Sequence, residues 1–372
     1  MSHPPGAVRD SILAFLSALD REASVGEIIA AVERHLGRVP ESSVRSYLNL
    51  NVPGTFERTG RGRYGLRRAT KANGHPAVVR PAIVVEKAKL YHADCFEWLA
   101  DQPENSVHAV VTDPPYGVVE YSKKELEKLG NGRGGIWRIP PSYDGHKRSP
   151  LPRFTVLSNE ERAALYTFFN RFGELVARVV VPGGNVIIAS NPILSHIVAA
   201  AMSDAGLELR GYVARLTMTM RGGDRPKNAH EEFADVSVMP RSQWEPWVVL
   251  RRRLDGRVQD NLRKWKTGGF RRISDDRPFG DVVRSRPTTS SEKRIAPHPS
   301  LKPQHFLRPL VRASLPMGVG VVLDPFAGSG STLAAANAVG YESVGVESND
   351  KFVKIATGAI KKLGSLKEIE PV

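Results

Sequence analysis

Two short stretches carry residue types able to do chemistry. The first, residues 111–117, reads Val-Thr-Asp-Pro-Pro-Tyr-Gly: an acidic side chain, a proline carbonyl and an aromatic ring closing an apolar run. Pro114 and Pro115 fix φ and remove backbone donors, so the Asp113 carboxylate and the Pro114 carbonyl stay directed outward as acceptors. Two acceptors on a stiff backbone grip the N–H bonds of a planar, ring-attached amino group, and Tyr116 offers a face on which the ring can stack. That arrangement prepares an exocyclic amine for alkylation. Taken alone, it also reads as a proline-stabilised turn after a strand.

The second stretch, residues 321–332, reads Val-Val-Leu-Asp-Pro-Phe-Ala-Gly-Ser-Gly-Ser-Thr: an apolar strand, a glycine loop and the start of a helix. Gly328 and Gly330 admit close approach to the backbone, and a helix N-terminus offers unpaired N–H groups. The next strand ends at Glu347, twenty-three positions after Asp324, where a carboxylate suits ribose hydroxyls. Leu333 stands where a nicotinamide fingerprint needs a third glycine, and no lysine follows Gly330 to make a triphosphate loop. A bare Gly-x-Gly leaves turn and cofactor loop open; Asp-Pro-Phe-x-Gly-x-Gly is more specific. A third motif, His298-Pro299-Ser300-Leu301-Lys302-Pro303, lies just upstream.

These residues need a scaffold. From Ile83 onward the pattern alternates apolar strands with amphipathic helices. Strands are expected over 89–92, 108–112, 185–190, 208–216, 247–250, 319–323 and 343–346, and helices over 96–100, 160–180, 193–204, 304–314, 332–339 and 351–363. This is the signature of an α/β fold, a mostly parallel Rossmann-like sheet with helices on both faces, and such sheets bind ligands at the carboxyl ends of their strands. Two stretches break the alternation. Residues 117–157 are rich in glycine and proline and read as a loop over the site. Residues 252–297 are basic, and 17 Lys/Arg against 6 Asp/Glu between 251 and 312 hold most of the formal net charge of +14. We read that segment as an inserted nucleic-acid-reading element, with Arg263, Lys264, Lys266, Arg271 and Arg272 facing DNA.

Ahead of this lies a separate module, residues 1–68, joined by a linker over 69–82. Helices are expected at 11–19, 25–36, with Ser24 and Gly37 as caps, and 41–50, followed by a hairpin of 55–58 and 63–66. Three helices and a hairpin resemble a winged helix-turn-helix. That resemblance assigns Arg45, with Ser42, Ser43 and Ser46, to base or backbone contact and Arg61 and Arg63 to the wing. A winged helix used for protein contacts fits the same pattern.

From about Ile83 to Leu363 the chain resembles the amino-group DNA methyltransferases that use S-adenosylmethionine. The catalytic motif precedes the cofactor motif, with the basic insert between, the order of the family's beta class. The resemblance implies that Asp113, Pro114, Pro115 and Tyr116 form the catalytic motif. It further implies that Asp324, Phe326, Gly328 and Gly330 line the methionine and adenosine portions of the cofactor, with Glu347 on the ribose, Asp94 on the adenine, and Ser300 and Lys302 near the methionine end. Serine at 300 replaces the family's more frequent threonine and keeps the hydroxyl. Pro182-Gly183-Gly184-Asn185 matches a structural motif of the family.

The implied reaction is transfer of a methyl group to adenine N6 in double-stranded DNA, after the base is flipped out. Asp113 favours adenine, since the cytosine N4 enzymes more often have serine there. Cytosine N4, a non-catalytic DNA-binding regulator on the same fold, and RNA or protein glutamine as substrate stay open as alternatives. Carbon-5 cytosine chemistry needs a cysteine nucleophile, usually after a proline, whereas Cys95, the single cysteine, follows Asp94 and reads as buried packing. One cysteine permits no internal disulfide or thiolate zinc site, and no metal site is expected. No apolar run reaches membrane-spanning length and no secretory signal opens the sequence, so a cytoplasmic setting is expected. The recognition sequence, an accompanying restriction endonuclease and a homodimer are left undecided.

Overall fold

A computed structural model of the chain describes residues 7–19, 21–37, 39–50, 56–60, 62–66, 81–115, 157–217, 223, 225–226, 228–298 and 300–367. Tyr116, Arg61, Pro299, almost all of the 117–157 loop and most of the 69–82 linker lie outside them, as do the side chains of Ser42, Ser43 and Ser46. The chain divides into two compact units, Met1–Val79 and Arg80–Val372.

In the first unit, α1 (Ala7–Leu19), β1 (Ala23–Ser24), α2 (Val25–Leu36), α3 (Glu41–Leu50), β2 (Phe56–Gly60) and β3 (Arg63–Leu66) follow in order, and the strands form a sheet β1-β3-β2. Ser24 starts α2 with a reciprocal capping box to Glu27, and Gly37 ends it at φ 80°. Ile12, Leu16, Ile28, Val32, Val44, Leu48 and Phe56 close the core.

The second unit is built on a nine-stranded sheet. Its strands are β4 (Ile83–Val85), β5 (Ala88–His92), β6 (Val107–Thr112), β7 (Val180–Ala189), β8 (Leu207–Leu216), β9 (Trp244–Arg252), β10 (Val282–Arg284), β11 (Val321–Asp324) and β12 (Glu342–Glu347), in the order β10-β8-β9-β7-β6-β11-β12-β5-β4. The block from β7 to β5 is parallel; β9 runs antiparallel between β7 and β8, and β4 antiparallel at the edge. Side chains alternate between the faces: Val186 and Ile188 join one core, Ile187 and Ala189 the other. The helices α4 (Cys95–Asp101), α5 (Asn159–Val179) and α6 (Ser195–Asp204) cover the first face. On the second lie α9 (Gln304–Ser314) and α10 (Ser331–Ala338), with α11 (Asp350–Gly364) packed on α10.

The basic segment differs from the expected surface insert. It contains α7 (Val258–Trp265), α8 (Ser290–Ile295) and β10, which extends the main sheet by pairing with β8. Asn261, fully buried, donates to Pro182 O (2.9 Å) and Thr267 O (2.8 Å) and accepts from Asp255 N. Pro182-Gly183-Gly184 sits where the pairing of β6 and β7 shifts register, and a Cβ on Gly183 would stand 2.3 Å from Asn261 Nδ2. The Pro-Gly-Gly step is therefore the socket that ties the insert to the sheet.

Candidate active site

Strands β6 and β11 are parallel neighbours, so the ends that carry Asp113 and Asp324 lie side by side. A direct bond joins them: Thr112 Oγ1 donates to Asp324 Oδ1 at 2.7 Å. The same oxygen accepts from Phe326 N (3.2 Å), and Thr332 in the first turn of α10 adds another hydrogen bond. Burial pushes the Asp324 carboxyl up to about 6, opposed by those hydrogen bonds and reinforced by the nearby charge of Asp113. Pro114 is buried and Pro115 exposed.

The glycine loop follows directly. Gly328 and Gly330 hold φ of 51° and 83°, the left-handed region that side chains disfavour. A Cβ on Gly330 would meet Ile360 at 2.5 Å, and one on Gly328 would meet His298 Nε2 at 3.1 Å. The glycines thus let α11 and the His-Pro segment close on the loop from behind. No side chain caps the N-terminus of α10. Glu347 accepts from Gly328 N (2.8 Å) and Asn349 N (2.7 Å), which fixes its carboxylate beside the loop. Phe326 packs at a tilt into an aromatic cluster with Phe168 and Phe172, at ring centroids 6.2 and 5.4 Å away. Asp94 caps α4 through Phe96 N (2.8 Å) and Glu97 N (3.1 Å). Since β5 and β12 are paired parallel, His92 opposite Glu347, the end that leads into Asp94 adjoins Glu347. A left-handed glycine turn, an uncapped helix start and an oriented carboxylate fit a nucleoside-bearing methyl donor.

The third motif bridges both halves. His298 lies against Gly328 and packs on Phe352, and its Nδ1 accepts from Ser300 N at 3.2 Å, which puts the ring proton on Nε2. Burial, then the charge of Lys302, holds this imidazole down at about 4, so it is neutral near pH 7. Four residues on, the Lys302 ammonium donates to the Asp113 carboxylate and lies 3.6 Å from Glu245 Oε1. Lys302, expected at the methionine end, has its charge committed to the Asp113 carboxylate. Burial alone would lower its proton affinity, and Asp113 and Glu245 together turn the shift upward. Glu245 in turn accepts from Arg215 Nη1 (2.8 Å) and Trp247 Nε1 (3.1 Å).

Sequence reasoning gave no site role to Thr112 or His298, though both lie in the motifs it quoted, and did not name Arg215 or Glu245. It also missed Ser190 and Asn191, buried just past β7, whose Oγ and Nδ2 have no hydrogen-bond partner among the described residues. Thr112 carries a legible signal, a lone hydroxyl closing an apolar run. Glu245 and Arg215 carry none, because their pairing depends on the register of β8 with β9. Cys95 is buried and its thiol is raised to about 12, which removes it as a nucleophile.

The cations expected at DNA have varied surroundings. Arg263 and Lys264 are exposed on α7, near Asp260 (3.0 Å) and Asp255 (2.6 Å), and Lys266 ends that helix in a left-handed conformation at φ 61°. Arg272 is exposed, whereas Arg271 turns inward and donates to Tyr341 Oη at 2.9 Å. In the first unit Arg45 pairs with Glu41 (3.3 Å) and Arg63 with Glu22 (2.7 Å), all four exposed. Among the described residues no helix is long and apolar enough to cross a membrane.

A family model described as DNA methylase, the N6/N4 group, matches residues 107–358. The Type II methyltransferase M2.LlaDCHI of Lactococcus lactis subsp. cremoris is 25% identical over 78% of this chain and 95% of its own length. M2.DpnII of Streptococcus pneumoniae is 24% identical over 76% and 93%. Among solved structures, the PvuII DNA methyltransferase, described as cytosine-N4-specific, gives a TM-score of 0.49 at 15% identity, covering 78% of this chain and 91% of that one. The matched span runs from β6 into α11 and takes in both strand tips, the insert and the glycine loop, and the chain belongs to the N6/N4 DNA methylase family.

Proposed function

We propose that the second unit methylates the N6 amino group of an adenine flipped out of double-stranded DNA, with S-adenosylmethionine as donor. The observation that carries this reading is the joining of the two strand tips: Asp113 and Pro114 directly follow Thr112, whose bond to Asp324 anchors the glycine loop. Acceptor and donor site therefore share one rim. Bound S-adenosylmethionine supplies an electrophilic methyl group on a sulfonium.

The amino nitrogen of adenine is a poor nucleophile because its lone pair is delocalised into the ring. The Asp113 carboxylate and the Pro114 carbonyl accept its two N–H bonds, which favours the lone pair leaving the ring plane. As the N–C bond forms and the C–S bond breaks, positive charge builds on nitrogen and Asp113 stabilises it. The methylated nitrogen would then give one proton to water, leaving a neutral methylamino group and a neutral thioether. Placement and electrostatics supply the acceleration. Tyr116 offers the stacking face for the flipped base. Gly328, Gly330 and Glu347 hold the nucleoside part of the donor, with Asp94 at its adenine.

The first unit has the helix, strand, helix, helix, hairpin order of a winged helix, which supports a role for α3 and Arg45 in DNA affinity or partner recruitment. Arg263, Lys264, Lys266 and Arg272 supply phosphate contacts from the insert.

Mass spectrometry of nucleosides from DNA of a host expressing the protein tests the target. N6-methyladenine is the expected product. N4-methylcytosine would transfer the same mechanism to the other base, and no modified base would favour a non-catalytic DNA-binding protein.

A further inference from the structure

Across the carboxyl end of the sheet runs a row of alternating charges: Arg215 at the end of β8, Glu245 at the start of β9, Lys302 ahead of α9, and Asp113 after β6. Arg215 and Glu245 are direct cross-strand partners. The four side chains are only 7, 16, 11 and 16% exposed. Two cations and two anions balance, a requirement when ions leave water. The far end is held too: Arg215 Nε donates to Ser285 Oγ at 2.9 Å, and its guanidinium lies 5.1 Å from the centre of the Phe306 ring. Both Glu245 oxygens are pinned, one by Arg215 and the other by Trp247.

The row answers a difficulty in the proposed chemistry. An acceptor carboxylate that carries its own ammonium partner has lost much of the negative charge it should offer the attacking nitrogen. A second carboxylate behind that ammonium restores it. We propose that Glu245 is a positioning residue of the methyl transfer: it holds Lys302 from behind, so that Lys302 orients the Asp113 carboxylate without cancelling it. Lys302 is the intermediate element, and Arg215 with Trp247 fixes Glu245. This role rests on the reading of Asp113 as the amino-group acceptor.

The test is a double-mutant cycle on the full chain, with S-adenosylmethionine and duplex DNA, reading kcat, the Kd for S-adenosylmethionine and the KM for DNA. Glu245→Gln keeps the shape and an acceptor for Arg215 while removing the charge. Its kcat is expected to fall roughly 10- to 100-fold, as for a misplaced group at a reacting centre, while Kd and KM move by less than about fivefold. In a Lys302→Met background the same substitution should cost no further kcat, since its effect passes through the ammonium. An equal fall in both backgrounds, or wild-type kcat in folded Glu245→Gln, overturns the proposal. Should Glu245→Gln not fold, Glu245→Asp withdraws the charge by one methylene and carries the same test: an intermediate loss of kcat supports the role and an unchanged kcat refutes it. Asp113→Ala separates this idea from the reading beneath it. If that variant stays active, the acceptor assignment fails; if it is dead while Glu245→Gln is fully active, only the role of Glu245 fails.

Discussion

Replacing Asp324 by asparagine should stabilise the second unit while weakening its use of the methyl donor. Asp324 is 3% exposed, and burial raises its carboxyl from 3.8 to about 6. Between about pH 4 and pH 6 the folded chain holds a proton that the unfolded chain has released, so wild-type stability falls as pH rises through that window. At about 1.4 kcal/mol per unit, keeping Asp324 ionised costs about 3 kcal/mol above pH 7. The amide of Asp324→Asn escapes that cost. Its oxygen still accepts from Thr112 and Phe326 N. All five tryptophans, at 98, 137, 244, 247 and 265, lie beyond residue 80, so urea unfolding followed by tryptophan fluorescence reports this unit alone. The stability gap in favour of the variant should widen by about 1.4 kcal/mol from pH 5 to pH 8, nearly all of it below pH 7. On the proposed function, wild-type affinity for the cationic donor rises over the same window and that of the variant does not. A gap constant with pH, or a variant less stable than wild type at pH 8, would refute the reasoning.

Two further outcomes follow from the insert. Asn261→Leu removes a fully buried side chain that satisfies Asp255 N, Pro182 O and Thr267 O, and should lower stability by about 3 kcal/mol in the same assay; a loss below about 1 kcal/mol would show that the socket at Pro182 does not hold the insert. Replacing both Arg263 and Lys264 by alanine should weaken DNA binding and reduce the slope of log affinity against log salt by about 2, with donor affinity unchanged, as measured by fluorescence anisotropy across a salt series. An unchanged slope would remove α7 from the DNA interface.

What was legible in the sequence was whatever local pattern decides. The strands expected over 108–112 and 319–323 correspond to β6 and to β11, which starts two residues later, and the helix expected over 304–314 matches to the residue, because Pro303 ahead of it and its apolar face define it. The two motif tips could be placed on one rim because adjacent parallel strands present their carboxyl ends together. What escaped depends on distant partners. Strand β10 has three residues and owes its state to pairing with β8; β4 is an equally short edge strand. Helix α7 is short and mostly polar, and its anchor Asn261 is recognisable only once Pro182 O lies within its reach. The Pro-Gly-Gly step read as a lead into β7 and is instead a register shift inside the strand. Arginine content placed Arg271 on DNA with its neighbours, yet only Tyr341, seventy positions away, shows that it turns inward. The motif suggested a place for Lys302 near the cofactor, but its bond to Asp113 spans 189 positions and no spacing rule contains it.

The most direct test of the central claim is single-turnover methyl transfer to duplex DNA by Asp113→Ala, paired with calorimetric titration of S-adenosylmethionine. Loss of transfer by about 1,000-fold or more with donor affinity within a few-fold of wild type is the expected result, since in the proposed function the carboxylate serves the acceptor base and not the donor. Transfer at near wild-type rate would contradict the assignment of the strand tip at Asp113 as the site that grips the amino group.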